Sequence, residues 1–491
     1  FIDTINGRKG EGYMKKQREG YMSTGSERMS YWSYLIGQNF SYTMMSVFLT
    51  TYMMMQGVDL GIIAIIMVVV KVWDAINDAI FGVIFDRVKF KSGNKCLPWI
   101  RISSVTIPLF TLIMFVIPQN SPETVKLIWF TVVYLLFDAA YTISDVPIYG
   151  MVTVITNNMD ERNWLMSFGR IFGGGAAVVC STVVSFLISE QIGLSFSVIG
   201  TVISVFACLF MLPICFKGKE RNKLVNMQEG YTFREMFGYL GKNKYLIFIY
   251  LSYILLNILN TTNALNLFAS YYLFGSAMFS TILTVIGAVP MLVMALCMPM
   301  ILRKVDKFVL YFWSLVANAV IGFVIYFIGY ANPMVYIVLR TIQVFPFTIS
   351  GILSFMFTPD CAEYGEYETG LDARGITFAI QSFSTKLAGA FSSSIGLVIL
   401  GLFGWVTINA SSFAEINALN IMQPNSAIGG LWFTYTLVPA IGSVLGIIPL
   451  FFYKLRDKDV AIMAKCNSGE ITREDAEEQL SSRLQKKRKR I

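Results

Sequence analysis

Lys71-Val-Trp-Asp-Ala-Ile-Asn-Asp78 lies inside a run from about Leu60 to Phe85 that is otherwise almost wholly apolar. A run of that length crosses a bilayer as a helix. Two carboxylates and an ammonium near its middle each cost roughly 2.5–3.5 kcal/mol on insertion scales. Lys71, Asp74 and Asp78 recur at i, i+3 and i+7 with Asn77 beside them, so the four crowd one helical face. That face is expected to look into a polar cavity and not at lipid. Mutual neutralisation of Lys71 and Asp74 accounts for part of the pattern, but one lysine does not compensate two acids. An ionisable residue at mid-membrane is a functional group by default. The reading is that Asp74 or Asp78 handles a proton or another monovalent cation.

The rest of the chain agrees with a membrane setting. Of 491 residues, 55% are hydrophobic and only 14% charged, a balance that ordinary soluble domains do not have. Seven cysteines stand singly and in odd number, so neither a disulfide framework nor a zinc site is expected. There is no histidine, which removes the commonest metal ligand and the usual general base. With no Ser- or Cys-centred motif either, only carboxylates remain for acid–base work, and an enzyme is disfavoured. No cofactor is expected beyond a co-transported Na⁺ or H⁺, and no nucleic-acid partner.

Polar punctuation divides the apolar mass into twelve spans near 30–56, 60–85, 97–117, 127–155, 164–189, 193–216, 244–270, 277–301, 307–330, 333–357, 376–405 and 427–453. The fold class read from this is an all-α integral membrane protein of twelve transmembrane helices. Basic residues gather in every second connection: Arg87, Lys89, Lys91 and Lys95; Arg162; the stretch from Lys217 to Lys244; Arg303, Lys304 and Lys307; and Arg374. Lys126 is the exception. The positive-inside rule then puts both termini in the cytoplasm of a multi-pass plasma (inner) membrane protein. The polar connection 217–243 splits the spans six and six. The expected organisation is a cytoplasmic segment 1–29, a six-helix bundle 30–216, the linker, a second bundle 244–453 and a basic tail 454–491. Two such halves suggest an internal duplication with a substrate site between them. The segment before Met29 is polar and is not a signal peptide. The tail from Arg456, ending in Lys486-Lys-Arg-Lys-Arg490, reads as a short amphipathic helix that is solvated or drawn to lipid head groups.

A second polar stripe runs along the fourth span. Asp138, Thr142, Asp145 and Tyr149 fall at i, i+4, i+7 and i+11, with Pro147 able to bend the helix there. Arg170 on the fifth span lies at matching depth, within about two turns at ~1.5 Å per residue. An arginine beside a carboxylate is either a holder for sugar hydroxyls or a structural ion pair. Gly169 and Gly173-Gly-Gly175 read as positions of close helix approach. Lys386 in the eleventh span, a lone membrane lysine like Arg340 in the tenth, needs a partner among the surplus acids of the first half. Asn257, Asn260, Thr261, Thr262 and Asn263 are ligand hydrogen-bonding groups or interhelical glue.

Five motifs in order are identifiable. Trp73-Asp-Ala-Ile-Asn-Asp78, Gly93-Asn-Lys-Cys-Leu-Pro-Trp99, Tyr141-Thr-Ile-Ser-Asp-Val-Pro147, Asp360-Cys-Ala-Glu-Tyr-Gly-Glu-Tyr-Glu-Thr-Gly370 and Ile376-Thr-Phe-Ala-Ile-Gln-Ser-Phe-Ser-Thr-Lys386 resemble the glycoside–pentoside–hexuronide:cation symporter family, whose best-known member is melibiose permease. The likeness is collinear from about Ser30 to Tyr453. It implies a major facilitator fold with alternating access. It implies Asp74, Asn77, Asp78 and Thr142 as the cation site, with Asp74 and Asp78 the Na⁺ ligands if sodium is the ion. It implies Asp145, Tyr149 and Arg170 as sugar contacts, and Lys386, with Lys71 and Asp138, as coupling residues between helices. The 360–370 motif corresponds to the cytoplasmic loop before helix eleven. In melibiose permease the helix-one position reads Lys-Asp. Here it is Gln38-Asn39, which takes that place among the substrate contacts and opens the preference to other glycosides, pentosides or uronides.

The expected function is therefore a symporter, with a monomeric transport unit, that imports a glycoside or oligosaccharide with Na⁺ or H⁺. Two rivals stand beside it: a transporter of the same fold for a lipid-like solute, which needs a cleft open to lipid, and a membrane receptor that transports nothing.

Overall fold

The first expected span begins where Thr24 and Glu27 form a reciprocal cap, each side chain taking the other's backbone N–H. The computed structural model describes residues 21–222, 238–371, 374–482 and 484. Within them the chain is helical throughout, and the only pairing outside helices is an isolated bridge from Gln56 to Asn409.

In chain order the helices are α1 (Gly25–Thr43), α2 (Leu49–Met55), α3 (Leu60–Arg87), α4 (Leu97–Phe115), α5 (Glu123–Ile155), α6 (Met159–Ile188), α7 (Phe196–Met211), α8 (Pro213–Lys217), α9 (Lys244–Ile258) and α10 (Thr262–Phe274). They continue as α11 (Phe279–Leu302), α12 (Lys307–Ile328), α13 (Pro333–Thr369), α14 (Arg374–Leu402), α15 (Phe413–Ala418), α16 (Asn425–Trp432), α17 (Val438–Ile447), α18 (Asp457–Asn467) and α19 (Arg473–Gln479). Eleven helical stretches among the described residues are long and apolar enough to cross a membrane. The remaining expected span, the first, is α1 and α2 joined without a break by a π turn at Met44–Phe48. All twelve expected spans are therefore helical.

The largest boundary difference is at α13. Hydropathy ends this span near residue 357, but the helix runs on to Thr369 and stops only at Gly370, whose φ of +71° suits a residue without a Cβ. The 360–370 motif, expected as a loop, is thus almost entirely helix. Cys361, Tyr364 and Tyr367 recur at i, i+3 and i+6 and are buried, so an amphipathic extension replaces the apolar one.

Packing divides the chain into two compact units. The first comprises Phe1–Tyr52, Ile76–Ile188 and Gly193–Glu229; the second comprises Met53–Ala75, Ser189–Ile192 and Gly230–Ile491. The unbroken helix α3 therefore belongs to the second unit up to Ala75 and to the first from Ile76.

In the first unit α1 lies close against α6 and α7. A Cβ on Gly169 would sit 2.7 Å from Leu35 Cδ1, and one on Gly173 2.8 Å from Asn39 Nδ2. These two glycines are sites of close approach, whereas Gly174 and Gly175 border open space. Trp32 Nε1 donates to Leu165 O (3.0 Å) and Ser33 Oγ to Phe210 O (2.6 Å), locking α1 to both neighbours. On the α7 side a Cβ at Gly37 would meet the Ala207 carbonyl at 2.5 Å. Overpacking of this kind costs about 1–3 kcal/mol. Gly37→Val is expected to lower the thermal unfolding midpoint of the purified protein by several degrees, and an unchanged midpoint would refute this packing.

In the second unit α14 packs on the first half of α3, where Ser394 Oγ donates to Ala64 O (3.0 Å). Thr261 and Thr262 give their hydroxyls to the carbonyls of Thr434 and Tyr435, and Asn257 donates to Tyr253 O on its own helix. The two threonines act as glue between helices, whereas Asn257 caps a carbonyl within its own. Arg340 donates to Gln343 Oε1 (2.6 Å), one turn along the same helix.

The tail is not the solvated segment that its charge suggested. Helices α18 and α19 dock on the second unit, burying Asp459, Met463 and Ala476. The N–H of Lys307 donates to Asp457 Oδ2 (3.0 Å), and its Nζ reaches Asp360 Oδ2 (2.5 Å) and Asp457 Oδ1 (3.4 Å). The Asp457 N–H returns a bond to Asp306 Oδ2 (3.1 Å), and the Arg456 guanidinium lies 3.8 Å from the centre of the Phe308 ring. Asn467 Nδ2 donates to the Glu363 carbonyl and carboxylate, both at 3.0 Å. The cause is local: the apolar face of the tail finds a partner in the exposed end of α13. The last basic residues, 486–490, lie outside the described residues.

Candidate functional site

Helix α3 presents Asn77 and Asp78 to α5 inside the first unit. Asn77 Nδ2 donates to Thr142 Oγ1 (3.0 Å), and the Thr142 hydroxyl donates to Asp78 Oδ1 (3.1 Å). Asn77 and Thr142 are buried, while Asp78 is open. The arrangement gathers a carboxylate, a hydroxyl and an amide, which are the hard oxygen donors that an alkali cation takes or the acceptor that a proton needs. Among the described residues no three His, Cys, Asp or Glu side chains come together as a metal site, so any ion here relies on neutral oxygens as well as carboxylates. Asp138 is buried on α5, one turn before Thr142.

Asp74, one turn before Asp78 on α3, has a different setting in the second unit. Lys386 Nζ stands 3.1 Å from Asp74 Oδ1, and Lys71 Nζ 3.7 Å from Asp74 Oδ2. The partner that the lone lysine of α14 required is thus Asp74. One carboxylate between two ammonium groups is well compensated. Near the start of α14, Gln381 Oε1 accepts from Thr358 (2.5 Å) and Tyr250 (3.3 Å), a polar knot that the sequence did not single out.

Three residues past Thr142, α5 carries Asp145. Its Oδ1 accepts from Gln38 Nε2 on α1 (2.8 Å). Tyr149, one further turn along, is 53% exposed. Asp145 and Arg170 both lie near enough to Tyr149 to act on it electrostatically, and Arg170 on α6 also acts on Tyr31. The side chain of Arg170 is exposed. An acceptor, a cationic donor and a half-exposed aromatic ring therefore share one region of the first unit, a set of groups chemically able to grip a hydroxylated ring.

The helix-one pair behaves differently from the rest. Asn39 donates to Leu35 O (2.8 Å) and is half-buried. Gln38 is only 2% exposed and faces Ser144 and Asp145. Beneath it the hydroxyls of Tyr34, Ser103 and Ser144 form a buried series that sequence reasoning missed. Ser144 stood inside the Tyr141–Pro147 motif, but a neutral hydroxyl in a membrane helix gives no signal of its own.

With the geometry in hand, comparisons with known proteins bear on it. Residues 30–457 match the model of a family described as MFS/sugar transport protein. Among curated proteins the chain is 24% identical over 441 residues to the isoprimeverose transporter of Lactiplantibacillus pentosus, covering 88% of each chain. It is 24% identical to the lactose permease of Lactobacillus helveticus, covering 81% of this chain and 67% of that one. It is 23% identical to the glucuronide carrier protein homolog of Escherichia coli (strain K12), over 86% and 91%. Among solved structures it superposes on the nucleoside transporter NupG with a TM-score of 0.62 at 14% identity, covering 88% and 100%. For a D-xylose-proton symporter the TM-score is 0.59 at 13% identity, over 85% and 96%. At such identities the structures speak for the fold alone.

Proposed function

Since the chain belongs to the MFS/sugar transport protein family and is a multi-pass membrane transporter, not an enzyme, we propose that it imports a glycoside or oligosaccharide in symport with Na⁺ or H⁺. The observation that carries this reading is on α5, where Thr142 bonds Asp78 and, three residues on, Asp145 accepts from Gln38. One rigid helix then feels both the ion and the sugar. Asp78, Thr142 and Asn77 take the cation, while Asp145, Tyr149 and Arg170 take hydroxyls and the sugar face. The relatives whose names specify isoprimeverose, lactose and glucuronides support a glycosidic substrate. Basic residues in every second connection support a plasma-membrane protein with both termini in the cytoplasm.

The test is uptake of a radiolabelled panel containing isoprimeverose, lactose and a glucuronide, in vesicles with and without a sodium or proton gradient. Gradient-driven accumulation of one of them is expected, and no uptake of any would sink the proposal. Orientation has its own test. A single cysteine at Asn222, introduced in a background without accessible thiols, is expected to react with impermeant reagents only from the cytoplasmic face. Labelling from outside reverses the topology.

One observation favours the amphipathic-solute rival: an apolar groove of about 570 Å³ in the second unit, lined by Gly61, Ala64, Val68, Phe391, Ile395 and Val398. It suits an acyl chain and offers no charge to a sugar. Uptake of a lysophospholipid in place of every glycoside would favour that rival.

A further inference from the structure

The hydroxyls beneath Asp145 have one self-consistent proton assignment. Ser103 Oγ donates to the Ile100 carbonyl (3.1 Å), so its single proton is spent there. Towards Tyr34, 2.7 Å away, Ser103 is then an acceptor, and Tyr34 is the donor. Tyr34 in turn accepts from Ser144 (2.5 Å), whose proton is spent on that bond. What Ser144 has left is a lone pair, which takes one N–H of Gln38 (3.1 Å). The second N–H of the same Gln38 nitrogen goes to Asp145 Oδ1 (2.8 Å). The backbone of α4 thus dictates, through two hydroxyls of α1 and α5, which way round the Gln38 amide stands.

The geometry points to Gln38 as a positioning residue for sugar recognition, locked by the Ser103–Tyr34–Ser144 relay so that its amide holds the Asp145 carboxylate in one rotamer. It is not itself a sugar contact: Tyr34, Ser103 and Ser144 are fully buried and Gln38 is 2% exposed. A flipped amide would aim an oxygen at the carboxylate, and the relay forbids it. The inference rests on the reading of Asp145 as a sugar contact given above.

The experiment measures equilibrium binding of isoprimeverose, lactose and a methyl glucuronide to the purified full-length protein, together with its melting midpoint. The best-bound sugar serves for the variants. Gln38→Leu removes the donor at nearly constant volume and is expected to weaken binding about tenfold or more, the worth of a hydrogen bond to a charged group. Gln38→Lys keeps a donor for Asp145 and is expected to bind within about threefold of the parent. Tyr34→Phe and Ser144→Ala each cut the relay and are expected to weaken binding severalfold, leaving the cation dependence of the Asp78 cluster in place. A merely structural role would move the melting midpoint and leave affinity in the folded fraction unchanged. Parental affinity in Gln38→Leu, with affinity lost in Asp145→Asn, overturns the inference alone. Parental affinity in both relay variants shows that something else holds Gln38. Parental affinity in Asp145→Asn itself, or no binding of any sugar, overturns instead the site on which the inference depends.

Discussion

Asp78→Asn is expected to yield a protein that still binds and exchanges its sugar but no longer concentrates it. Asp78 accepts from the Thr142 hydroxyl and is the exposed carboxylate of the stripe, whereas Asp74 is buried beside Lys386 and Lys71. Bound Na⁺ or H⁺ offsets the negative charge of Asp78, so that closure around sugar buries less net charge. Linkage makes the effect mutual, so ion and sugar raise each other's affinity by the same factor. An amide at this position has no charge to cancel and no reason to wait for the ion. Asp74→Asn should also abolish accumulation, for a different cause: it deprives Lys386 of its counter-charge on α3. The measurement sets concentrative uptake beside sugar exchange in the same vesicles. Wild-type accumulation in both single variants removes helix α3 from coupling and turns attention to Asp138 or Asp145.

The second large effect concerns affinity. Arg170→Ala or Asp145→Asn should abolish measurable sugar binding in a protein that inserts and folds normally. Each deletes a charge-assisted hydrogen bond, about 1.5–3 kcal/mol or roughly 10- to 150-fold. Each also strips one of the two charges acting on Tyr149. Loss of expression, with unchanged affinity in whatever survives, would instead assign the two residues to structure.

Charge in the wrong solvent made much of this legible from sequence. A lysine and two acids inside an apolar run are too costly to be accidental, so the stripe on α3, its counterpart on α5 and the need of Lys386 for a partner could all be read. Lys386 then meets Asp74, one of the acids anticipated for it. The spans themselves were legible because a bilayer demands long apolar runs. Where that demand ended, legibility ended too. The last turns of α13 were taken for a loop because amphipathic helix outside lipid looks polar to a hydropathy window. The docked tail was hidden by its own charge. The Tyr34–Ser103–Ser144 relay was invisible because hydroxyls cost little to bury and leave no mark on composition. The same silence hid that Gln38, grouped with the substrate contacts, is buried against Ser144 and Asp145.

The docked tail also has a consequence for biosynthesis. Lys307 bonds a carboxylate that lies 150 residues further along the chain. At about 5–20 residues per second, roughly 8–30 seconds of synthesis separate the two. Until then Lys307 lacks Asp457 and pairs with the buried aspartate Asp360 alone in this network. The second unit therefore emerges with an unfinished seam, closed last by α18 and α19. A nascent chain truncated after Tyr453 would have every span in place and still lack Asp457 and Asn467 to complete those bonds. Quality control that inspects polar groups at the membrane surface would read such a chain as immature, however complete its helices.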